Sequence, residues 1–140
     1  MAAEPDVLIT DVLLRDGLQL EKAVIPVADR LGLARGLLAA GLASLEVGAF
    51  VNPVKVPPMA DSAAVLRGLL ADSGGAALHT LVLTEGGARR AVAAGARSVR
   101  LVVSASDGHS RANAGADTDG ALGRLEAAAA TLRGAGVAVE

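Results

Sequence analysis

One short arrangement occurs three times along the chain: the end of an apolar, helix-like segment, then a glycine, then a run of residues typical of a strand. The three copies are LAAGLASLEV, VAAGARSVRLVV and LRGAGVAV, whose glycines are Gly41, Gly95 and Gly136. Glycine readily takes the left-handed conformation that ends many helices, so each copy predicts a helix that stops and a strand that follows at once. Repetition of this unit predicts a βα array rather than a β-sandwich.

Five segments have the composition of strands buried on both faces, because they are rich in Val, Leu and Ile and lack the polar alternation of a half-exposed sheet. These predicted strands are 7–14, 43–47, 78–83, 98–103 and 137–139. Apolar residues at helical spacing predict amphipathic helices between them. Helix starts are predicted at Pro26, at Asp61-Ser62 and at Thr118-Asp119, and the stretch 113–120 is predicted to be a loop.

Polar side chains gather where the predicted strands end. Arg15 and Asp16 directly follow the first strand, and Glu46 lies near the end of the second. In a parallel α/β sheet or barrel this edge faces the ligand. A neighbouring cation and carboxylate suit a metal-assisted reaction at a carbonyl, since the carboxylate holds a divalent ion and the guanidinium neutralises an oxyanion. We therefore expect these three residues and the start of the SASDGH segment, which begins at residue 104, to converge on one face, with Arg15 and Glu46 close enough to interact.

Composition narrows the classes of partner and compartment. Thirteen basic and 15 acidic residues give a net charge of -2 without a basic patch, which argues against nucleic acid. The chain has no cysteine, so its residues offer no disulfide and no thiolate metal site. No apolar stretch approaches the roughly 20 residues of a membrane span, and residues 1–6 are too short and acidic for a signal peptide. The expected compartment is therefore the cytoplasm.

Three strings resemble the hydroxymethylglutaryl-CoA lyase family of metal-dependent lyases and synthases. They are ITDVLLRDGLQLEK, LEVGAFVNPVKVPPMAD and AVAAGARSVRLVVSASDGHSRAN. RDGLQ followed by EK also occurs, in looser form, in the isopropylmalate and homocitrate synthases of the same superfamily. The PMAD ending of the second string favours the lyase branch.

The resemblance implies the fold class. It indicates an α/β fold, a partial (β/α)8 TIM barrel that contains about the first four to five βα units with parallel strands. A complete barrel needs roughly 250 residues, whereas the chain has 140. Residues 1–140 are therefore expected to be the N-terminal portion of a single, incomplete catalytic domain. Two open sheet edges would favour association with a second copy, so a homo-oligomer is one expected partner state.

The resemblance also implies a reaction, a metal and a set of site residues. Lyases of this family split 3-hydroxy-3-methylglutaryl-CoA into acetyl-CoA and acetoacetate by a reverse Claisen cleavage, with Mg²⁺ or Mn²⁺. By this resemblance Asp16 is the metal ligand, and Arg15 and Glu46 are the catalytic residues. The expected substrate-binding residues are Gln19, Asn52, His109 and Asn113, and the candidates for the phosphates of the acyl-CoA substrate are Lys55, Arg89 and Arg111.

The chain departs from the family pattern in two ways. The family's His-x-His metal ligands, a later Asn ligand and a catalytic-loop Cys do not occur within these 140 residues, so we expect the chain by itself to be inactive. Leu20 stands where Asn is usual, Ala49 where a small hydroxyl is usual, and Val54-Lys55 where the lysine usually comes first. These substitutions bear on the acyl group of the substrate more than on the fold.

Two other functions are compatible with the same residues. The first is a related enzyme that condenses an acyl-CoA with a 2-oxo acid, like isopropylmalate synthase, and a downstream regulatory domain would mark it. The second is a non-catalytic half-barrel that serves as an assembly partner.

Overall fold

A four-stranded parallel sheet forms the centre of the molecule, in a computed structural model that describes residues 7–140. The strands lie side by side in chain order, as β1 (Ser44–Ala49), β2 (Ala77–Val82), β3 (Ser98–Leu101) and β4 (Ala138–Val139). Every neighbouring pair is parallel. The predicted parallel order is thereby confirmed for these four strands.

Five α-helices alternate with the strands over the described residues. They are α1 (Val27–Ala39), α2 (Ser62–Leu70), α3 (Glu85–Ala94), α4 (Asp107–Ala114) and α5 (Thr118–Gly134). Helix α2 packs on β1, α3 packs on β2, and α5 packs on β3 and β4. No helix in this part of the chain combines the length and apolarity needed to cross a membrane.

The glycines predicted to end helices have the backbone conformation that this role requires. Gly41, Gly95 and Gly136 have φ values of 94°, 88° and 74°, which lie in the left-handed region. Gly48 meets a different requirement, because a Cβ at this position in β1 would lie 2.5 Å from the Ser62 Oγ. Helix α2 can therefore approach β1 closely only because residue 48 has no side chain.

The apolar core lies between the sheet and its helices. Leu45 and Val47 of β1, Val82 of β2 and Val99 of β3 are fully buried there, together with Leu66 of α2. Alternate residues of the same strands face the other side of the sheet, and several of them are polar. They are Ser44 and Glu46 of β1, His79 of β2, and Ser98 and Arg100 of β3. We call this side the inner face, and it carries the site described below.

The prediction of a strand at residues 7–14 is wrong. Residues 7–14 make one isolated parallel bridge, at Asp11, whose N–H donates to the Ser44 carbonyl and whose carbonyl accepts from the Glu46 N–H. Val7, Leu8 and Ile9 are 74%, 62% and 66% exposed, so they are not buried on either face. A regular strand needs repeated backbone pairing, whereas here a π-helical turn, Leu13–Gly17, begins two residues after the bridge.

The predicted loop at 113–120 is also shorter than expected. Helix α4 extends to Ala114, and α5 begins at Thr118. The Asp117 carboxylate caps α5 by accepting from the Gly120 N–H at 2.9 Å. The side chain of Asp117, one residue before the predicted start, provides the oxygen that an N-terminal cap needs.

Candidate active site

The Leu13–Gly17 turn presents Arg15 and Asp16 at the edge of the sheet. The Val12 carbonyl accepts hydrogen bonds from the backbone N–H groups of Arg15, Asp16 and Gly17. Leu14, in the same turn, is buried in the apolar core. The turn is thus fixed by the packing of Leu14 and by its own backbone hydrogen bonds, and it carries Arg15 and Asp16.

Arg15 and Glu46 form an ion pair, as predicted. The Arg15 Nε donates to the Glu46 Oε1, and the Arg15 Nη1 lies 2.8 Å from the Asp16 Oδ1. The Glu46 side chain is only 2% exposed, and that of Arg15 is 18% exposed. A carboxylate buried this deeply needs cationic partners, because removing its charge from water costs several kcal/mol.

Glu46 has a second cationic partner that the sequence analysis did not identify. The Nη1 of Arg100, on β3, lies 3.2 Å from the Glu46 Oε2. Ser98 and Arg100 alternate with Val99 and Leu101, and this period-two pattern was the available signal for a polar inner face. The prediction that this segment is a strand buried on both faces is wrong for the face that carries Ser98 and Arg100.

Arg100, Glu46, Glu140 and His79 form a polar cluster in which the pKa values of three residues are shifted. Burial disfavours the charge on Arg100, but hydrogen bonds to Glu140 and Glu46 outweigh that effect and raise its pKa. The hydrogen bond from Arg100 lowers the pKa of Glu140. Burial and the charge of Arg100 lower the pKa of His79, whose ring nitrogens lie 3.0 Å from the Ser44 Oγ and 2.8 Å from the Ser98 Oγ.

A cavity of about 580 Å³ opens above the carboxyl ends of β1 and β2. Its floor includes Leu81 and Leu83, and Arg15 lies in its wall. Four basic side chains line it, and no carboxylate of the described residues does. The basic residues are Arg15, Lys55, Arg90 and Arg124. A cavity with this charge distribution favours an anionic ligand.

Two of these cations are oriented by backbone carbonyls. The Arg90 Nη2 donates to the carbonyls of Phe50 and Val51 at 3.0 and 3.1 Å, and the Arg124 Nη1 donates to the Ala114 carbonyl at 2.9 Å. A carbonyl orients a guanidinium but does not neutralise its charge. Both side chains therefore remain available to bind an anion.

The cavity includes three of the four predicted substrate-binding residues. Gln19, Asn52 and Asn113 line it. The Asn52 Oδ1 already accepts from the Val54 and Lys55 N–H groups, so its amide nitrogen is the group left for a ligand. His109 does not line the cavity; its Nδ1 lies 2.7 Å from the Ser104 Oγ on the exposed side of α4.

Of the three residues predicted to bind the phosphates, one lines the cavity and two pair with carboxylates on the surface. Lys55 lines the cavity, whereas Arg89 pairs with Glu85 at 2.6 Å on the surface of α3. Arg111 lies 3.9 Å from Asp107 and 3.7 Å from Asp117. Arg90 and Arg124 were not predicted, because the apolar spacing of a helix indicates its buried face but not which of its polar residues lines a cavity.

The residues present do not form a complete metal site. Asp16 is 58% exposed and one of its oxygens is bound to Arg15. Within residues 7–140 no group of three or more His, Cys, Asp or Glu side chains is placed to hold a metal ion. A divalent cation needs several converging ligands, and this part of the chain offers Asp16 alone.

The chain is similar in sequence to proteins named as acyl-CoA lyases. It is 45% identical over 116 residues to an (R)-citramalyl-CoA lyase from Chloroflexus aurantiacus, a match that covers 76% of this chain and 37% of that protein. It is 38% identical over 135 residues to the mitochondrial hydroxymethylglutaryl-CoA lyase of Bos taurus, covering 95% of this chain and 41% of that protein. The chain thus spans about two fifths of the length of these curated relatives.

A solved structure gives the same result for the fold. The chain superimposes on an HMG-CoA lyase from Acinetobacter baumannii, in complex with coenzyme A and 3-methylmalate, with a TM-score of 0.88 and 30% identity. The match covers 99% of this chain and 45% of that one. This likeness confirms the predicted partial (β/α)8 barrel. A family model described as HMGL-like matches residues 6–140, and the protein therefore belongs to the HMGL-like family.

Proposed function

We propose that the protein to which this chain belongs is a carbon–carbon lyase that cleaves a 3-hydroxy-3-methyl acyl-CoA thioester. The observation that carries the proposal is that Arg15, paired with the buried Glu46, lies in the wall of a cavity that is lined by cations and, among residues 7–140, by no carboxylate. The similarity to lyases named for hydroxymethylglutaryl-CoA and citramalyl-CoA supports the same reaction.

In the proposed reaction the tertiary hydroxyl loses its proton and its carbon–oxygen bond becomes a carbonyl. The bond between the second and third carbons of the acyl chain breaks, and its electron pair moves onto the thioester oxygen as an enolate. Protonation of the enolate carbon then gives acetyl-CoA. The charge on the thioester oxygen exists only after the transition state begins to form, so a cation placed there lowers the barrier rather than merely tightening binding.

Arg15 is the residue we assign to that oxygen. Its Nε is held by Glu46, and its side chain lines the cavity while remaining only partly exposed. Glu46 thereby fixes the direction of the guanidinium. Gln19, Asn52 and Asn113, which line the same cavity, are the proposed contacts to the acyl-CoA, and His109, which does not line it, is assigned no contact.

The phosphates of the acyl-CoA are assigned to the other cations that line the cavity. Lys55, Arg90 and Arg124 have no carboxylate partner within 4.0 Å among the described residues, in contrast to Arg89 and Arg111. Leu81 and Leu83, which line the same cavity, would contact the uncharged arm of the cofactor. A cavity that combines several cations with apolar lining supports an acyl-CoA thioester over a small free acid.

Two acyl groups are candidates, and they share the reacting atoms. Hydroxymethylglutaryl-CoA and citramalyl-CoA both carry a hydroxyl and a methyl group on the third carbon, and differ by one methylene before the terminal carboxylate. Hydroxymethylglutaryl-CoA is the substrate implied by the sequence motifs. The 45% identity to the citramalyl-CoA lyase favours the second candidate enough to require its own test.

A divalent cation, Mg²⁺ or Mn²⁺, belongs to the proposal through the family. Asp16 would contribute one ligand, from a residue beside Arg15. We assign no further ligand and no step of the reaction to the metal within residues 7–140, because the other side chains that a hard dication requires are not present there.

The experiment is a product assay with both substrates. The complete protein is incubated with hydroxymethylglutaryl-CoA or (R)-citramalyl-CoA and Mg²⁺ or Mn²⁺, and acetyl-CoA and the released oxo acid are quantified by mass spectrometry. We expect equal amounts of acetyl-CoA and of the matching oxo acid from one substrate. Condensation of acetyl-CoA with a 2-oxo acid, without cleavage of either substrate, would replace this function with that of a synthase.

A further inference from the structure

Glu46 is shared by two arginines that come from opposite sides of the inner face. Its Oε1 accepts from the Arg15 Nε, and its Oε2 accepts from the Arg100 Nη1 at 3.2 Å. The carboxylate is nearly inaccessible to solvent, so these two guanidiniums are its ionic partners in the described structure. Neither oxygen can change partner without moving an arginine.

Arg100 is itself held at every side-chain nitrogen. Its Nε donates to the Glu140 Oε2 at 2.9 Å, and its Nη2 donates to the Thr10 Oγ1 at 3.3 Å. The third nitrogen holds Glu46. Arg100 lies on β3, so its side chain reaches past β2 to the carboxylate on β1. Three different segments therefore fix one guanidinium.

This arrangement affects the charge available at Arg15. If Glu46 had Arg15 as its single partner, its two oxygens would be free to form a bidentate pair that neutralises Arg15 and draws it toward the sheet. The Arg100 contact occupies the second oxygen and offsets part of the carboxylate charge. Arg15 then contacts Glu46 through Nε alone and Asp16 through Nη1, which leaves its Nη2 without a carboxylate partner among the described residues and available to the cavity that Arg15 lines.

We propose that Arg100 is a positioning residue that acts on Arg15 through Glu46. The inference rests on the proposed function, because the oxygen that Arg15 serves is the enolate oxygen of that reaction. Arg100 does not line the cavity, and its three nitrogens are already bound, so it makes no direct contact with substrate. Its effect is on the rate of cleavage and not on the affinity for acyl-CoA.

The test compares Arg100→Met and Arg100→Lys with Arg97→Met in the complete protein. Arg97 lies three residues earlier, is exposed, and forms no ion pair among the described residues, so its replacement makes the same change in charge. We expect Arg100→Met to lower kcat by about 10- to 100-fold, the effect of a misdirected catalytic group, while KM changes by less than about threefold. Arg97→Met retains the kcat of the parent protein.

Arg100→Lys covers the case in which Arg100→Met does not fold. Lysine keeps the charge but offers one ammonium in place of the fork that spans Glu46, Glu140 and Thr10. We expect a smaller loss in kcat, about three- to tenfold, again with KM little changed. A kcat equal to that of the parent, or a loss that appears in KM alone, would overturn the proposal.

A double-mutant cycle with Glu46→Gln separates positioning from a general structural role. If Arg100 acts through Glu46, then adding Arg100→Met to Glu46→Gln lowers kcat by less than about twofold further. Multiplying losses would mean that Arg100 acts independently of Glu46, and the inference would be wrong.

A spectroscopic measurement keeps the inference testable if neither acyl-CoA is cleaved. The side-chain Nε–Hε resonance of Arg15 reports its hydrogen bond to Glu46 directly. We expect Arg100→Met to shift or broaden this resonance and Arg97→Met to leave it in place. If the parent protein is inactive but its Arg15 resonance responds in this way, the proposed reaction is refuted and the coupling is supported. If the parent protein is active but Arg100→Met leaves the Arg15 resonance unchanged, the coupling alone is refuted.

Discussion

Arg89 and Arg90 are adjacent on α3, but they bind to different parts of the molecule. Arg89 forms an ion pair with Glu85, one helical turn earlier, at 2.6 Å. Arg90 donates to the Phe50 carbonyl at 3.0 Å and lines the cavity. Successive residues on a helix point about 100° apart, so two equal charges at neighbouring positions serve different roles. The pair is a natural matched control for the phosphate assignment.

We expect Arg90→Ala to weaken the binding of coenzyme A by about tenfold, the loss of one charge-assisted hydrogen bond to a phosphate. Arg89→Ala should leave binding within about twofold, because its partner Glu85 is on the surface and exposed ion pairs contribute little. Isothermal titration of the complete protein with coenzyme A, and with pantetheine as the form without phosphates, measures both effects. An equal loss for the two variants, or an equal loss with pantetheine, would remove Arg90 from the phosphate site.

Arg15→Lys should lower kcat by about 10² or more, with a smaller change in KM. Lysine keeps the charge, but its single ammonium cannot hold Glu46 and face a developing oxyanion with the geometry of a guanidinium. Arg35→Lys is the control, because Arg35 forms an exposed ion pair with Asp72 away from the cavity. Steady-state kinetics of both variants, with the substrate that the parent protein cleaves, decide the matter. Near-parental kcat in Arg15→Lys would exclude Arg15 from the transition state.

The fold was largely predictable because its signals are local. A glycine that must be left-handed, as at Gly41 and Gly95, places a helix end and the following strand at once. The failure at residues 7–14 has a physical reason, since composition alone cannot indicate whether a neighbouring strand is present to bury both faces. Val7 and Ile9 are as apolar as any core residue, but they are exposed.

The site was predictable where backbone pairing alone brings two side chains together. Arg15 follows the bridge at Asp11, and Glu46 lies on β1 beside that bridge, so their meeting follows from topology. Arg100 reaches Glu46 from two strands away, and Arg124 enters the cavity from a helix. Both contacts depend on how far a long side chain reaches and on which neighbour it meets there, which the order of residues does not specify.

Gly48→Ala should destabilise the fold by about 1–3 kcal/mol, the usual cost of inserting a methyl group into a packed core. The added Cβ would lie 2.5 Å from the Ser62 Oγ and 2.7 Å from the Ser62 Cβ. Ser62 has little freedom to move, because its hydroxyl accepts from the Ala49 N–H and donates to the Met59 carbonyl.

The control for that substitution is Gly36→Ala in helix α1. A Cβ at Gly36 meets no atom within 4 Å, so alanine should stabilise the helix by about 0.5–1 kcal/mol. Urea unfolding of both variants, with the slope m held equal, gives the two changes in the free energy of unfolding. If Gly48→Ala is as stable as the parent, then α2 does not approach β1 as closely as described.

His79 should make the folded state less stable in mildly acidic solution. Burial, followed by the charge of Arg100, lowers its pKa from the ordinary value near 6.5. The unfolded chain therefore binds a proton at a higher pH than the folded chain does. The stability that depends on neutral His79 is fully present above about pH 6.5 and declines as the pH falls toward the lowered folded pKa.

His79→Gln should reduce this dependence, because glutamine does not titrate and can still hydrogen-bond to Ser44 or Ser98, the two hydroxyls that His79 contacts. His109 is the matched control, since it is exposed on α4. Free energies of unfolding at pH 5 and pH 7.5 give the comparison. We expect the difference between the two pH values to shrink in His79→Gln and to persist in His109→Gln. The reverse result would mean that the titrating group lies outside the polar cluster of the inner face. The claim that burial and Arg100 lower the pKa of His79 would then be wrong.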